Sequence, residues 1–376
     1  MRNIVISSAL AMLAGSLGFG LGGCKGGTGD DNSGGNGPGG PSTGSGLGGT
    51  SCALVSANLP LGSKGTTPSI VWGGSAFAVV WQSTDVDAGN IQVAMVDGDG
   101  KLVSEAAVTT SGNTSAVPVI ARLGQGFVVV WRDSDGAIRG RKLDSGGTPS
   151  GAEFQLSANG NPEARPALAE TSAGVVVSWG DQGQAFVGLV GDGVMSQKTG
   201  LPNATFPAVA GAGADLGVAW SEGGAVKFSK VSATSLTPGN PVSHEATAQN
   251  LAMASGDGHF LVAWEDTRSG EEEIYVTFGD DSGGDEVIAE LEGGSANWPS
   301  VAWIGDYAAV AYYQFRDGPP RIYLSFVDAD LGHVGEDVQV AEEAARFPAL
   351  SWSGDRLGIA WAVKDGGVEM AVADCK

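Results

Sequence analysis

The sequence predicts an all-β fold, a closed ring of seven four-stranded antiparallel blades, and three observations carry that expectation. Glycine fills 62 of 376 positions, about twice its usual share, beside 42% apolar residues and ten tryptophans. Such a composition suits many short strands and tight turns, and it excludes both a collagen period and a disordered polyelectrolyte. One 14-residue pattern recurs seven times without a gap between residues 68 and 361. The two ends of the repeat region each hold the part of a unit that the other lacks.

The repeats are PSIVWGGSAFAVVW (68–81), PVIARLGQGFVVVW (118–131), PALAETSAGVVVSW (166–179), PAVAGAGADLGVAW (207–220), LAMASGDGHFLVAW (251–264), PSVAWIGDYAAVAY (299–312) and PALSWSGDRLGIAW (348–361). Proline opens six of them and tryptophan closes six, with Tyr312 in the remaining place. The closing aromatics follow one another at 50, 48, 41, 44, 48 and 49 residues. A period of that length marks units that bury their faces against their neighbours.

Each unit reads as four strands. Strand a is expected to start at the proline, which has no N–H for the ladder and is tolerated at a first strand position. A glycine or polar turn leads into strand b, such as FAVVW, FVVVW or FLVAW, whose unbroken apolar run calls for burial on both faces. Strand c follows as IQVAMVD (91–97), IRGRKLD (138–144), IYVTFGD (274–280), IYLSFVD (322–328) and VEMAVAD (368–374), each ending on aspartate. Strand d is shorter and more polar, as in EAAVTT (105–110) and EDVQVAE (336–342). Four antiparallel strands at this period form a blade of a β-propeller, so residues 51–376 are expected to make one seven-bladed domain.

The seventh unit stops after strand c at Asp374-Cys375-Lys376, while CALVSANL (52–59) precedes the first unit as an unattached strand d. The N-terminal strand is therefore expected to complete the last blade. Cys52 and Cys375 then stand at the two stumps of a missing c–d turn, which predicts a disulfide between them.

The chain begins with one basic residue, Arg2, and an apolar stretch ending in small residues, the layout of a secretory signal. Leu21-Gly22-Gly23-Cys24 resembles the lipobox of bacterial lipoproteins. The resemblance implies a signal peptide over 1–23 and lipidation of Cys24, and with Lys25 next it implies the outer membrane or cell surface. Residues 24–50 hold little that is apolar and read as a glycine- and serine-rich flexible tether between anchor and propeller. An exported compartment permits the Cys52–Cys375 bridge, with the third cysteine taken by the lipid.

The formal charge of −22, from 20 basic and 42 acidic residues, excludes a nucleic-acid partner and adhesion to anionic lipid through protein charge. Lipid at Cys24 is the expected membrane contact, on a monomer. The repeated tryptophans answer a need of the fold and read as core. So does the aliphatic third repeat position, occupied by Ile70, Ile120, Leu168, Val209, Met253, Val301 and Leu350.

Binding is sought on the rims, where the repeat varies. One rim carries the fifth repeat position, with Trp72, Trp303 and Trp352 in consecutive blades of the closed ring. The other carries residues that directly precede a repeat, Arg165, Phe206, Asn250, Trp298 and Phe347, and the charged b–c loops with Asp266, Arg268, Arg316 and Arg321. No catalytic residue, metal site or cofactor is expected. His244, His259 and His333 fall in different blades, and no H-x-x-H, H-E-x-x-H, G-x-S-x-G or S-x-D-x-G-x-x-W pattern occurs. Asp97-Gly98-Asp99-Gly100 reads as a c–d turn and Glu271-Glu272-Glu273 as a solvated loop. The function expected is a non-enzymatic binding or scaffold module for a protein or polysaccharide. The alternative is an exported glycosidase or lyase using rim carboxylates, and a buried, pKa-raised carboxylate pair in the axial funnel would favour it.

Overall fold

A computed structural model describes residues 47, 50 and 52–375, save 63, 86–90, 110–114, 159, 161–164, 182, 192–193, 281–283, 290–293, 317 and 365. The signal over 1–23, Cys24 and the tether as far as residue 46 lie outside the described residues. The remainder forms seven four-stranded antiparallel sheets. In blades 1 to 6 the strands run a, b, c, d in chain order. In blade 7 strands a (Ala345–Trp352), b (Arg356–Val363) and c (Val368–Cys375) are completed by the N-terminal strand Cys52–Gly62. That strand pairs antiparallel with strand c, Cys52 opposite Cys375, and a disulfide joins the two. Leu47 packs on the same blade, and the Cys52 amide donates to Thr50 Oγ1.

The innermost strands close the ring. Strand a of each blade packs against strand a of the next, including blade 7 against blade 1 (strand a Gly65–Trp72). The core is accordingly seven seams between blades. Trp81 is buried in the seam with blade 7, Trp131 with blade 1, Trp179 with blade 2, Trp220 with blade 3, Trp264 with blade 4, Tyr312 with blade 5 and Trp361 with blade 6. Burial of this kind is worth roughly 2–3 kcal/mol for each large side chain. The tryptophan repeat is thus the repeat of one seam.

Two of the seams depend on a strand glycine. A Cβ on Gly358 would stand 2.8 Å from both Phe77 and Ile70, and one on Gly217 would stand 2.5 Å from Phe260. In each case a phenylalanine of the following blade lies on the bare backbone of strand b.

Three of the aspartates that end strand c build c–d turns. Asp97 Oδ1 accepts the amides of Asp99 and Lys101, Asp144 Oδ1 those of Gly146 and Thr148, and Asp328 Oδ1 those of Asp330 and Gly332. An aspartate serves there because its short carboxylate can satisfy two turn amides at once.

Three local expectations need correction. Strand a begins before the proline in five of the six blades that have one, all but the third, as in Ala116–Leu123 of blade 2 and Ala296–Ile304 of blade 6. A β-bulge absorbs the proline there, so the missing N–H costs no ladder bond. Strand d of blade 6 shrinks to Val338–Gln339, because Asp337 turns inward to Tyr312, Ser325 and Arg316. Of the acidic run only Glu271 is exposed. Glu272 accepts a hydrogen bond from Asn297 Nδ2, and Glu273 is buried at the start of strand c, where Tyr275 Oη donates to it.

Candidate functional site

The bulge that admits the proline shapes one end of the axis. In blades 1, 2, 4, 5, 6 and 7, two residues of strand a oppose one of strand b, as Thr67 and Pro68 do between Thr66↔Gln82 and Ser69↔Val80. The first of the two adopts a left-handed backbone in all six blades, two positions before the ladder resumes. These are Thr67 (φ 47°), Val117 (52°), Phe206 (47°), Asn250 (47°), Trp298 (57°) and Phe347 (56°). A side-chain-bearing residue pays about 1–2 kcal/mol for that conformation. In blade 3 the corresponding Arg165 is not left-handed, and strand a starts after it, at Ala167.

Arg165 reaches across the axis. Its Nη2 donates to the carbonyl of Pro299 in blade 6 at 2.8 Å, and its guanidinium carbon lies 5.0 Å from the centre of the Trp298 ring. Protein surrounds the head group, although part of its area still borders the axial cavity that it lines. Desolvation brings its pKa down to about 10, with the Glu265 charge opposing, so it remains a cation at neutral pH.

Around Trp298 the rim is aromatic. Phe347 meets it edge-on at 5.0 Å, Tyr313 meets Phe347 at 5.9 Å, and Phe315 meets Tyr313 at 6.1 Å. Arg346 lies over Tyr313 and Phe315 at 5.8 and 5.4 Å, and its buried Nε has no hydrogen-bond partner among the described residues. Burial first, then the Glu265 charge, pushes the Tyr313 phenol up to about 12, so it stays protonated.

Glu265 supports this rim from below. The bulge frees the Trp298 amide, which donates to Glu265 Oε2 at 3.2 Å, and Asn250 Nδ2 donates to the same oxygen at 3.0 Å. Desolvation raises the Glu265 pKa above the ordinary carboxylate value. The two hydrogen bonds and Arg165 oppose that shift, and the Glu272 charge adds to it.

Below the mouth lies an axial cavity of about 170 Å³, lined from all seven blades. Its wall combines the third repeat position, Ile70, Ile120, Leu168, Val209, Met253, Val301 and Leu350, with strand-a backbone and the hydroxyl residues Thr67, Ser69 and Ser300, and among the described residues Arg165 is its one charged lining residue. These aliphatics, expected as core, face the axis rather than the seams alone.

The b–c loop residues serve their own blades. Asp266 is fully buried and accepts Trp264 Nε1, Arg268 Nε and Nη2, and the amides of Thr247 and Arg268. It has no surface to offer a ligand. Burial works against its charge, but those donors outweigh burial and hold its pKa below the usual value. Arg268 also pairs with Asp285 and covers Tyr275 at 4.2 Å. Arg316 repeats the arrangement one blade on, pairing with Asp337 and covering Tyr323 at 3.9 Å. Each arginine stands four residues after the aromatic that closes its repeat, and each fastens the outer strands.

The opposite rim forms no shared platform. Trp303 donates from Nε1 to the Gly305 carbonyl and lies over Gly256 of blade 5, Trp72 packs on Phe77, and Trp352 joins the seam of blades 6 and 7. Of the residues sought in the sequence, the structure therefore gathers Arg165, Phe206, Asn250, Trp298 and Phe347 at one mouth. Glu265, Tyr313, Phe315 and Arg346 belong with them and were missed. Their one signal was the run AYYQF in blade 6, with more aromatics than the repeat requires.

No protein-family model matches this chain, and no curated protein matches it by sequence. Solved structures do resemble it. The fold is similar to that of Chaetomium thermophilum Raptor, with a TM-score of 0.53 at 10% identity over 86% of this chain and 28% of that one. It is also similar to the β-propeller domain of Myceliophteria thermophila Cps50 (Swd1), with a TM-score of 0.51 at 12% identity over 85% of this chain and 100% of that one. At such identities the likeness establishes the class, a seven-bladed propeller with four-stranded blades. This chain spans about a quarter of the Raptor chain.

Proposed function

We propose that this chain is a non-enzymatic binding module, a propeller whose mouth at Arg165, Trp298, Tyr313, Arg346 and Phe347 receives a protein partner. One observation carries the reading. Four half-buried aromatic rings and two arginines converge at one end of the axis, the residue types that dominate protein interfaces. The lipobox-like Leu21–Cys24 supports a further part of the proposal, that the propeller hangs from a lipidated Cys24 in a bacterial cell envelope. Purified wild type and the Trp298→Ala/Phe347→Ala variant, both cooperatively folded, should differ in partner capture from envelope extracts. Equal capture would remove the mouth from the reading, and signal on glycan arrays alone would replace the protein by a polysaccharide. Membrane association should be lost in Cys24→Ala; its persistence would exclude the lipid anchor.

Glu265 favours a second reading, an exported hydrolase. It is a buried carboxylate at the mouth with a raised pKa and a second carboxylate, Glu272, close enough to raise it further. Against this, one of its oxygens already holds the Trp298 amide and Asn250, the work of a support for the bulge. Glycan turnover by the wild type that disappears in Glu265→Gln would establish the hydrolase.

A further inference from the structure

The axial cavity combines one cation with seven aliphatic side chains and, beside them, strand-a backbone and the hydroxyl residues Thr67, Ser69 and Ser300. Among the described residues its lining includes no carboxylate and no second charged side chain. Arg165 has five N–H donors, and one described hydrogen bond, to Pro299, uses one of them. Among the described residues no carboxylate stands within ion-pair distance of it. Glu265 acts on Arg165 through space, but its Oε2 is engaged by the Trp298 amide and Asn250. An enclosed guanidinium without an ion-pair partner is costly, and its planar fork matches a carboxylate bidentately. The head group is also held ready, by the Pro299 carbonyl on one side and the Trp298 ring on the other.

The wall decides what accompanies the charge. Seven aliphatic side chains, one from each blade, surround about 170 Å³. An apolar cavity near that size accommodates roughly six carbon atoms, enough for a branched aliphatic side chain and too little for an indole or a long acyl chain.

We propose that the axial cavity binds an aliphatic carboxylate, with the carboxylate on Arg165 and the branched hydrocarbon among the aliphatics below it. A peptide ending in leucine and a free branched short-chain acid share that chemistry. The inference rests on the mouth being the binding end of the propeller, and it names the group recognised there.

The test uses the purified full chain, isothermal titration calorimetry and defined probes: 4-methylpentanoate, its amide, acetate, and a Gly-Ser peptide ending in leucine as free acid or amide. The free acids should bind, and both amides should bind at least about tenfold more weakly, the scale of a charge-assisted pair. Acetate should bind more weakly than 4-methylpentanoate by a similar factor, since it leaves the wall unfilled. Arg165→Gln should lose at least about tenfold, and Arg165→Lys should recover part of that loss. Val301→Phe, its fold checked by thermal unfolding, should exclude the acids by filling the cavity.

A peptide acid that binds more tightly than 4-methylpentanoate identifies a chain terminus as the occupant; the reverse identifies a free acid. The proposal is overturned by no binding of either acid at millimolar concentration, by amides that bind as well as acids, or by indifference to Arg165→Gln. Partner capture that survives Arg165→Gln but fails in Trp298→Ala/Phe347→Ala would remove this inference alone and leave the mouth reading intact.

Discussion

Replacing Cys52 and Cys375 by serine tests how the ring is held shut. The bridge joins residues 323 apart in sequence, so in the chain-entropy account it restrains the unfolded chain by at most about 5–6 kcal/mol. The native ladder does not need it, because Ala53↔Asp374, Leu54↔Ala373 and further pairs down to Gly62↔Val368 hold the N-terminal strand in place. The loss should therefore fall on the stability of an otherwise unchanged propeller. With an unfolding entropy near 2.1 cal/mol/K per residue over roughly 325 residues, that ceiling corresponds to a fall in Tm of about 8 °C. Calorimetry of the wild type with and without reductant, beside the double serine variant, measures it. The wild type should drop on reduction to the variant's Tm, the variant should ignore the reductant, and far-ultraviolet circular dichroism should match throughout. A fall of less than about 2 °C would refute the entropic argument and mean that the unfolded chain is already compact. Loss of cooperative unfolding would instead mean that the ladder cannot keep blade 7 closed without the bond.

Gly358→Ala should destabilise by about 1–3 kcal/mol through overpacking against Phe77 and Ile70, measured by denaturant unfolding. Gly239→Ala, whose Cβ would meet nothing within 4 Å, serves as the control. Glu265 and Asp266 should give opposite pH dependences in the same assay. The folded pKa of Glu265 is raised, so its contribution falls as pH climbs through and above the ordinary carboxylate range, and Glu265→Gln should remove that decline. The folded pKa of Asp266 is lowered, so its contribution is present above the ordinary aspartate value and lost on acidification; Asp266→Asn should cost stability at neutral pH and little in acid.

The ring was legible because each blade states the same requirements again. The closing aromatic, the glycine before the strand-b run and, in three blades, the aspartate after strand c recur, and their structural causes are a seam, a left-handed position in the a–b turn and the c–d turn. The ring closure was legible for the converse reason, since Cys375 and Cys52 mark where a repeat is interrupted. The site was legible only in part. Arg165, Asn250, Trp298 and Phe347 share one repeat position, so counting from the proline brings them together. Tyr313, Phe315 and Glu265 come from strand b and its exit, and only the blade's three-dimensional path places them beside strand a of the next blade. Asp266, Arg268 and Arg316 find their partners within their own blades, which their positions in the sequence do not tell. A charged loop reads as surface until the structure shows its aspartate buried beneath the tryptophan of its own strand. Part of the −22 charge also has a local explanation, because Asp97, Asp144 and Asp328 are turn residues that the fold uses again and again.

The left-handed bulge gives the mouth a reason to be more than an end of the ring. Six blades place a side-chain-bearing residue at φ between 47° and 57° one position from the same junction. Glycine adopts that conformation without strain and asparagine adopts it readily. This chain spends 62 glycines elsewhere, yet only Asn250 follows that preference; the other five positions hold threonine, valine, phenylalanine, tryptophan and phenylalanine. Backbone conformation alone does not select such residues, and valine and threonine are among the worst suited to it. What the five gain is a side chain projecting at the mouth, and in Trp298 and Phe347 that side chain builds the aromatic rim beside Arg165. Strain retained at one repeated position, with a different side chain mounted on it in nearly every blade, supports the proposed binding surface at the mouth.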